Sequence, residues 1–261
     1  MKTETIKKEP HLSVFERQLR NRESALQCMN RDFLKYIALL LMTLGHWALN
    51  IYAFTHSKPF LQFSVAAQYF APPVFFFFLT EGYHYTRSRS KYAVRLLIFA
   101  VITQIPHSLT LPGGLTLYNL FLQWNVIMTL FLGLAALIVL HCSWRLPLRL
   151  VIIAALTVTS RLLNSEWFVS GILIMLLFDL LREKPLMRLI AYMALMFAVA
   201  GANTGGFPAL PDYFIYLLPV WSAGIVITFF YNGKKGHFPV FSKYFFYIWY
   251  PLHLLLQYLF K

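Results

Sequence analysis

The chain has 261 residues, of which 59% are hydrophobic, 18% aromatic and only 13% charged. Soluble domains carry about 25% charged residues, so the composition excludes a soluble globular protein and predicts an all-α polytopic membrane protein. The formal charge of +13 would suit a nucleic-acid binder, but the cations lie in short segments between apolar stretches, so the lipid bilayer is the expected partner and nucleic acid is not.

Residues 1–32 form a basic arm. Within it Leu12, Phe15, Leu19, Leu26 and Met29 recur at helical spacing, with Arg17, Arg20 and Arg22 between them. That pattern predicts an amphipathic helix lying on the membrane surface. Residues 33–261 read as one transmembrane domain. A helix crosses the hydrocarbon core with roughly 20 apolar residues, and a bundle of about nine transmembrane helices is predicted: 33–54, 67–85, 93–111, 119–140, 148–163, 167–181, 186–200, 213–231 and 244–260. The fifth, sixth and seventh are short. With the N-terminus in the cytoplasm, all the Lys and Arg residues except Lys58, Arg161 and Lys261 fall on the cytoplasmic side. Cytoplasmic loops carry the excess of Lys and Arg, and that orientation is expected. Cys28 and Cys142 then face the cytoplasm as reduced thiols.

The first span contains His46, with Thr43 and Asn50 on the same helical face. Ionisable groups at membrane depth are costly and face a bundle interior or a wet cavity. His46 is therefore either a neutral imidazole bonded to the next helix or a proton-transfer group. The second span opens on Pro72 and Pro73 and ends near Glu81, which faces the basic turn from Arg87 to Arg95. Glu81 is either half of an ion pair with Lys91 or Arg95, or part of a site. His107 in the third span is expected near the outer surface and solvated. Asn125, Thr129 and Gly133 share one face of the fourth span, the spacing of small and polar residues that marks close helix packing. Asp179 reads as a solvated pair with Arg182. In the last span Tyr250, His253 and Gln257 share a face, and Pro251 loosens the helix before His253. An early and a late intramembrane histidine suggest a shared cavity. Zinc spacings, a phosphate-binding glycine loop and a nucleophile elbow are absent from the sequence, and no metal is expected.

These motifs resemble the TraX-like (F-pilin acetylation) family. The resemblance runs through Leu34-Lys35-Tyr36-Ile37-Ala38, Met42 and His46, then Glu81-Gly82-Tyr83 and Thr86, then Lys91-Tyr92 and Arg95-Leu96. It continues through Asn125-Val126 and the ending Lys243-Tyr244-Phe245-Phe246-Tyr247, Tyr250-Pro251-Leu252-His253. It covers roughly residues 31–257 and extends distantly to the acyltransferase-3 group, in which a basic residue opens the first helix about eleven positions before a histidine. Lys35 and His46 match that spacing. The family's usual Asp before this histidine is Gly45 here, so either Glu81 stands in for it or His46 acts unaided.

The resemblance implies transfer of an acetyl group from acetyl-CoA, as co-substrate, in the bacterial cytoplasmic membrane. The acceptor would be an amine or hydroxyl of a pilin or another surface molecule. His46, Glu81 and His253 would form the catalytic group. Lys35, Arg87, Arg89 and Arg95 would hold the CoA phosphates, and Asn125 and Tyr250 would donate to the oxyanion. Two other readings stand beside it, a proton-coupled transporter and a non-catalytic assembly factor for a surface appendage.

Overall fold

The computed structural model describes residues 26–203, 210–236 and 239–260. Most of the arm expected to carry the amphipathic helix lies outside them. Among the described residues twelve α-helices follow one another: α1 Arg31–His46, α2 Ala48–Thr55, α3 Lys58–Ala67, α4 Ala71–Tyr85, α5 Arg89–Thr110, α6 Leu117–Leu122, α7 Val126–Leu140, α8 Leu146–Leu162, α9 Phe168–Leu180, α10 Pro185–Asn203, α11 Leu210–Phe229 and α12 Pro239–Leu259. A short 3₁₀ turn, Gln68–Phe70, joins α3 to α4. Among the described residues the extended backbone amounts to one bridge, between Met29 and Tyr231. The described residues form an all-α protein.

Each predicted span falls on helix, but the spans are not all of one kind. Four described helices are long and apolar enough to cross a membrane: Lys58–Tyr85, Arg89–Thr110, Leu117–Leu140 and Pro185–Ala202. The first predicted span becomes a fifth only as the pair α1 and α2, bent by 61°. Phe168–Leu180 and Phe214–Phe229 are shorter apolar helices. The expected count of nine therefore exceeds what helix length and apolarity support. The remaining segments are interrupted by Arg149 and Arg161 in α8 and by Tyr250, Pro251, His253 and Gln257 in α12.

Local chemistry starts the helices where they start. Asn30 caps α1 by accepting from the Phe33 amide at 2.9 Å, and Ser88 and Thr116 cap α5 and α6 in the same way. Each cap satisfies a backbone donor that a helix N-terminus leaves unpaired. α7 packs against α4, α5, α8 and α9. Its predicted packing face is used as such, since a side chain at Gly133 would overlap Met175 and one at Gly171 would meet Thr129 at 2.6 Å. Small residues let these backbones approach closely, which is how helices associate where no hydrophobic effect drives them together.

α12 returns to the beginning of the chain and packs against α5 and α1. The stretch after α11 folds back over the start of α1. The Met29 amide donates to the Phe230 carbonyl at 2.9 Å, the Asn232 amide donates to Met29 at 2.9 Å, and the Arg31 amide donates to Lys234 at 3.0 Å. A Cβ on Gly236 would overlap the Asp32 carboxyl group, so only glycine fits this approach.

Candidate active site

α1 and α12 meet along the two faces read from the sequence. Trp249 Nε1 donates to Thr43 Oγ1 at 3.0 Å, and Thr43 Oγ1 donates to the Leu39 carbonyl at 2.8 Å. One turn on, His46 Nδ1 and His253 Nε2 are 2.9 Å apart, with the rings stacked at 18°. His253 Nδ1 lies 3.0 Å from the Trp249 carbonyl oxygen. A carbonyl only accepts, so this network assigns the His253 proton to Nδ1. With both rings neutral, His253 Nε2 accepts from His46 Nδ1–H. The lone pair of His46 is then on Nε2, and the ring is held in that tautomer by its partner.

The bend after His46 serves this arrangement. The Thr43 hydroxyl bonding back to Leu39 favours bending of a helix. The break leaves the His46 carbonyl without its usual helical donor, and Gln257 Nε2 donates to it at 2.6 Å. Freed carbonyls inside a membrane are tolerated only when a neighbour satisfies them. Beyond the bend, Asn50 Nδ2 reaches the Phe260 carbonyl at 2.8 Å. Thr43 and His46 thus contact α12, and Asn50 contacts the residue that follows it.

A cavity of about 640 Å³, within the range of small-molecule sites, is lined by α1 as far as Met42 and by α12 as far as Tyr250, and neither His46 nor His253 lines it. Arg31, Lys35, Arg95 and Lys235 stand around its mouth, and Met42, Val126, Ile127 and Tyr250 line the far end. Lys35 Nζ lies 5.2 Å from the centre of the Phe78 ring and 5.6 Å from that of Phe246. Arg95 Nε donates to the Tyr247 hydroxyl at 3.1 Å. His46 lies one turn beyond Met42, and His253 three residues beyond Tyr250. Tyr250 is buried, with its ring centre 5.3 Å from that of His253. Its hydroxyl makes no hydrogen bond among the described residues.

The chain belongs to the TraX family. The family model described as TraX protein matches residues 30–261. This TraX-family chain is also 31% identical over 241 residues to the probable fimbrial assembly protein FimC, serogroup H1, of Dichelobacter nodosus, a match that covers 87% of this chain and 95% of that protein. No solved structure matches the chain significantly.

Family membership sharpens the reading of Gly45, where the family pattern has Asp. In this TraX-family chain a Cβ at position 45 would overlap the Cβ of Gln68. The carboxylate of the pattern has no room there. Glu81 does not take its place, because both its oxygens accept from the Tyr231 hydroxyl, at 2.9 and 3.0 Å, at the cavity mouth. The group beside His46 is His253.

Other predicted site residues divide sharply. Lys35, Arg95, Glu81 and Tyr250 line the cavity, whereas Arg87 and Arg89 are exposed and do not. Arg89 instead lies over the Tyr83 ring at 4.3 Å. Asn125 is fully buried and saturated. Its Nδ2 donates to the Ala100 carbonyl at 2.9 Å and to Gln104 Oε1 at 2.8 Å, and its Oδ1 caps α7 at Ile127. With both amide hydrogens used, Asn125 joins α5 to α7 and has none left for an oxyanion. His107, expected in solvent, is buried with Nδ1 3.7 Å from Glu166 Oε1. Sequence reasoning missed Arg31 and Lys235 as mouth residues. It also missed Trp249, although that residue shares the His253 face one turn earlier.

Proposed function

We propose that this TraX-family protein is an integral membrane acetyltransferase that moves the acetyl group of acetyl-CoA to an amine or hydroxyl. The observation that carries the reading is a cavity lined by Arg31, Lys35, Arg95 and Lys235 that reaches Tyr250, whose ring is packed against His253 of the histidine pair. Arginine and lysine bind phosphates, and CoA carries its phosphates at the end remote from the thioester. His46 lies eleven residues beyond Lys35, roughly 16 Å at 1.5 Å per residue, a depth suited to an extended pantetheine arm.

In the proposed step, the acceptor nitrogen or oxygen attacks the thioester carbonyl while His46 Nε2 takes its proton. The tetrahedral oxyanion would be met by the Tyr250 hydroxyl and by backbone amides at the N-terminus of α7, near Val126. The carbon–sulfur bond then breaks, and the thiolate takes the proton back from His46 and leaves as CoA. His253 acts by holding the His46 tautomer and by sharing the positive charge that His46 acquires. Because CoA is cytoplasmic, the mouth faces the cytoplasm in this reading, with the N-terminus on the same side and the bacterial inner membrane as the location. A pilin or other surface molecule is the proposed acceptor, in keeping with the family and with a relative named for fimbrial assembly.

That relative's name also supports a second reading, an assembly factor without chemistry. The two separate in one experiment, which follows thiol release from acetyl-CoA by the full chain in nanodiscs with amine and hydroxyl acceptors. The acetyltransferase reading expects turnover that falls by about 10²–10⁴-fold in His46→Ala. Failure of the wild type to bind CoA, or full activity in the variant, would overturn it.

A further inference from the structure

At the end of the bundle that carries the cavity mouth, three helices converge on a buried carboxylate outside the site. Asp179, at the end of α9, has a side chain only 2% exposed. Its Oδ1 is 2.6 Å from Nε2 of His84 on α4, and its Oδ2 is 2.6 Å from Nε2 of His141, which caps α7. The three groups each offer a ligand atom, all within 4.8 Å of one another. Arg182, the expected partner of Asp179, pairs with Glu183 at 2.7 Å instead. Tyr83 fixes one histidine by stacking on His141 at 5.4 Å between ring centres, and the His84 ring stands at 79° to that of His141.

We propose that His84, His141 and Asp179 bind one divalent transition-metal ion of the zinc class. Two imidazole nitrogens and a carboxylate are a donor set that zinc takes, with bonds of about 2.0–2.2 Å, and a fourth position stays open for water. A carboxylate withdrawn from water needs compensating charge or several hydrogen bonds. Two neutral imidazoles supply only two donors, while a divalent cation neutralises the group and uses the lone pairs of both rings. The ion would tie together the ends of α4, α7 and α9. Since α4 contributes Glu81, Gly82 and Tyr85 to the cavity, it would also hold that wall in register. No metal spacing is visible in the sequence, because the histidines are 95 and 38 residues from the aspartate.

The test uses the full chain in nanodiscs, stripped with chelator and titrated with zinc alone, with cobalt as the spectroscopic probe. One ion per chain is expected, with the visible bands of cobalt bound to nitrogen and oxygen ligands. Affinity should fall at least about tenfold in both His141→Gln and Asp179→Asn. His141 is 41% exposed, so that variant keeps the fold intact even if the aspartate variant does not. Absence of stoichiometric zinc in the wild type, or equal affinity in wild type and His141→Gln, would overturn the proposal.

Discussion

Two histidine pairs in this protein make the same short hydrogen bonds to opposite ends. Between α1 and α12, His46 and His253 bond to each other, and a backbone carbonyl fixes the order of protons. The chain of donors ends with one imidazole nitrogen uncommitted. Between α4, α7 and α9, His84 and His141 each point Nε2 at the same carboxylate. There Nε2 of both rings is taken up by one anion. The residue type is constant, so function depends on what the second nitrogen and the neighbouring oxygens do. A carboxylate between two rings makes a clamp, whereas a ring bonded to a ring leaves Nε2 of His46 for the proposed proton transfer.

Substitutions should break this comparison in order of size. His46→Ala removes the proposed base and should reduce acetyl transfer the most, by about 10²–10⁴-fold, read as thiol release at saturating acetyl-CoA. His253→Ala keeps the base but frees its tautomer, and a loss of about 10²-fold in kcat is expected with KM for acetyl-CoA little changed. Equal rates in the wild type and this variant would show that His46 works unaided. Arg95→Ala should act the other way, raising KM about tenfold at nearly constant kcat, because it removes one phosphate contact and no reacting group. Gly45→Asp, which restores the family pattern, should not improve catalysis. Its side chain collides with Gln68, and overpacking of that kind costs about 1–3 kcal/mol, measurable as a lower melting temperature in nanodiscs.

Much of the helix layout was legible because apolar length and helical periodicity are properties of adjacent residues. His46 and His253 were legible for a related reason, since each shares a face with two other polar residues and a polar face inside a membrane must meet another. What stayed hidden depends on distant parts of the chain. Asn125 reads both as a packing residue and, through the resemblance, as an oxyanion donor, and only the second fails, because Gln104 and the Ala100 carbonyl, which use both its hydrogens, belong to another helix. Arg87 and Arg95 looked equivalent in a basic turn, yet only Arg95 lies far enough into α5 to reach the cavity. Glu81 reads from the sequence as half of an ion pair with Lys91 or Arg95 or as part of a site, and the partner that the backbone turn after α11 brings to it is Tyr231. The bend at Trp47 carries no proline to announce it, and nothing in the local sequence relates Asp179 to His84 and His141.

The two rings that meet at 2.9 Å are 207 positions apart in the chain, and that separation has a meaning in time. At synthesis rates of roughly 5–20 residues per second, His46 emerges some 10–40 s before its partner. Throughout that interval the first helices stand in the bilayer with an unmatched imidazole, and α12 is the last of the described helices to arrive. Formation of the pair thus waits until α12 has been made, and a nascent chain halted before Pro239 would hold His46 without the partner that the proposed mechanism gives it.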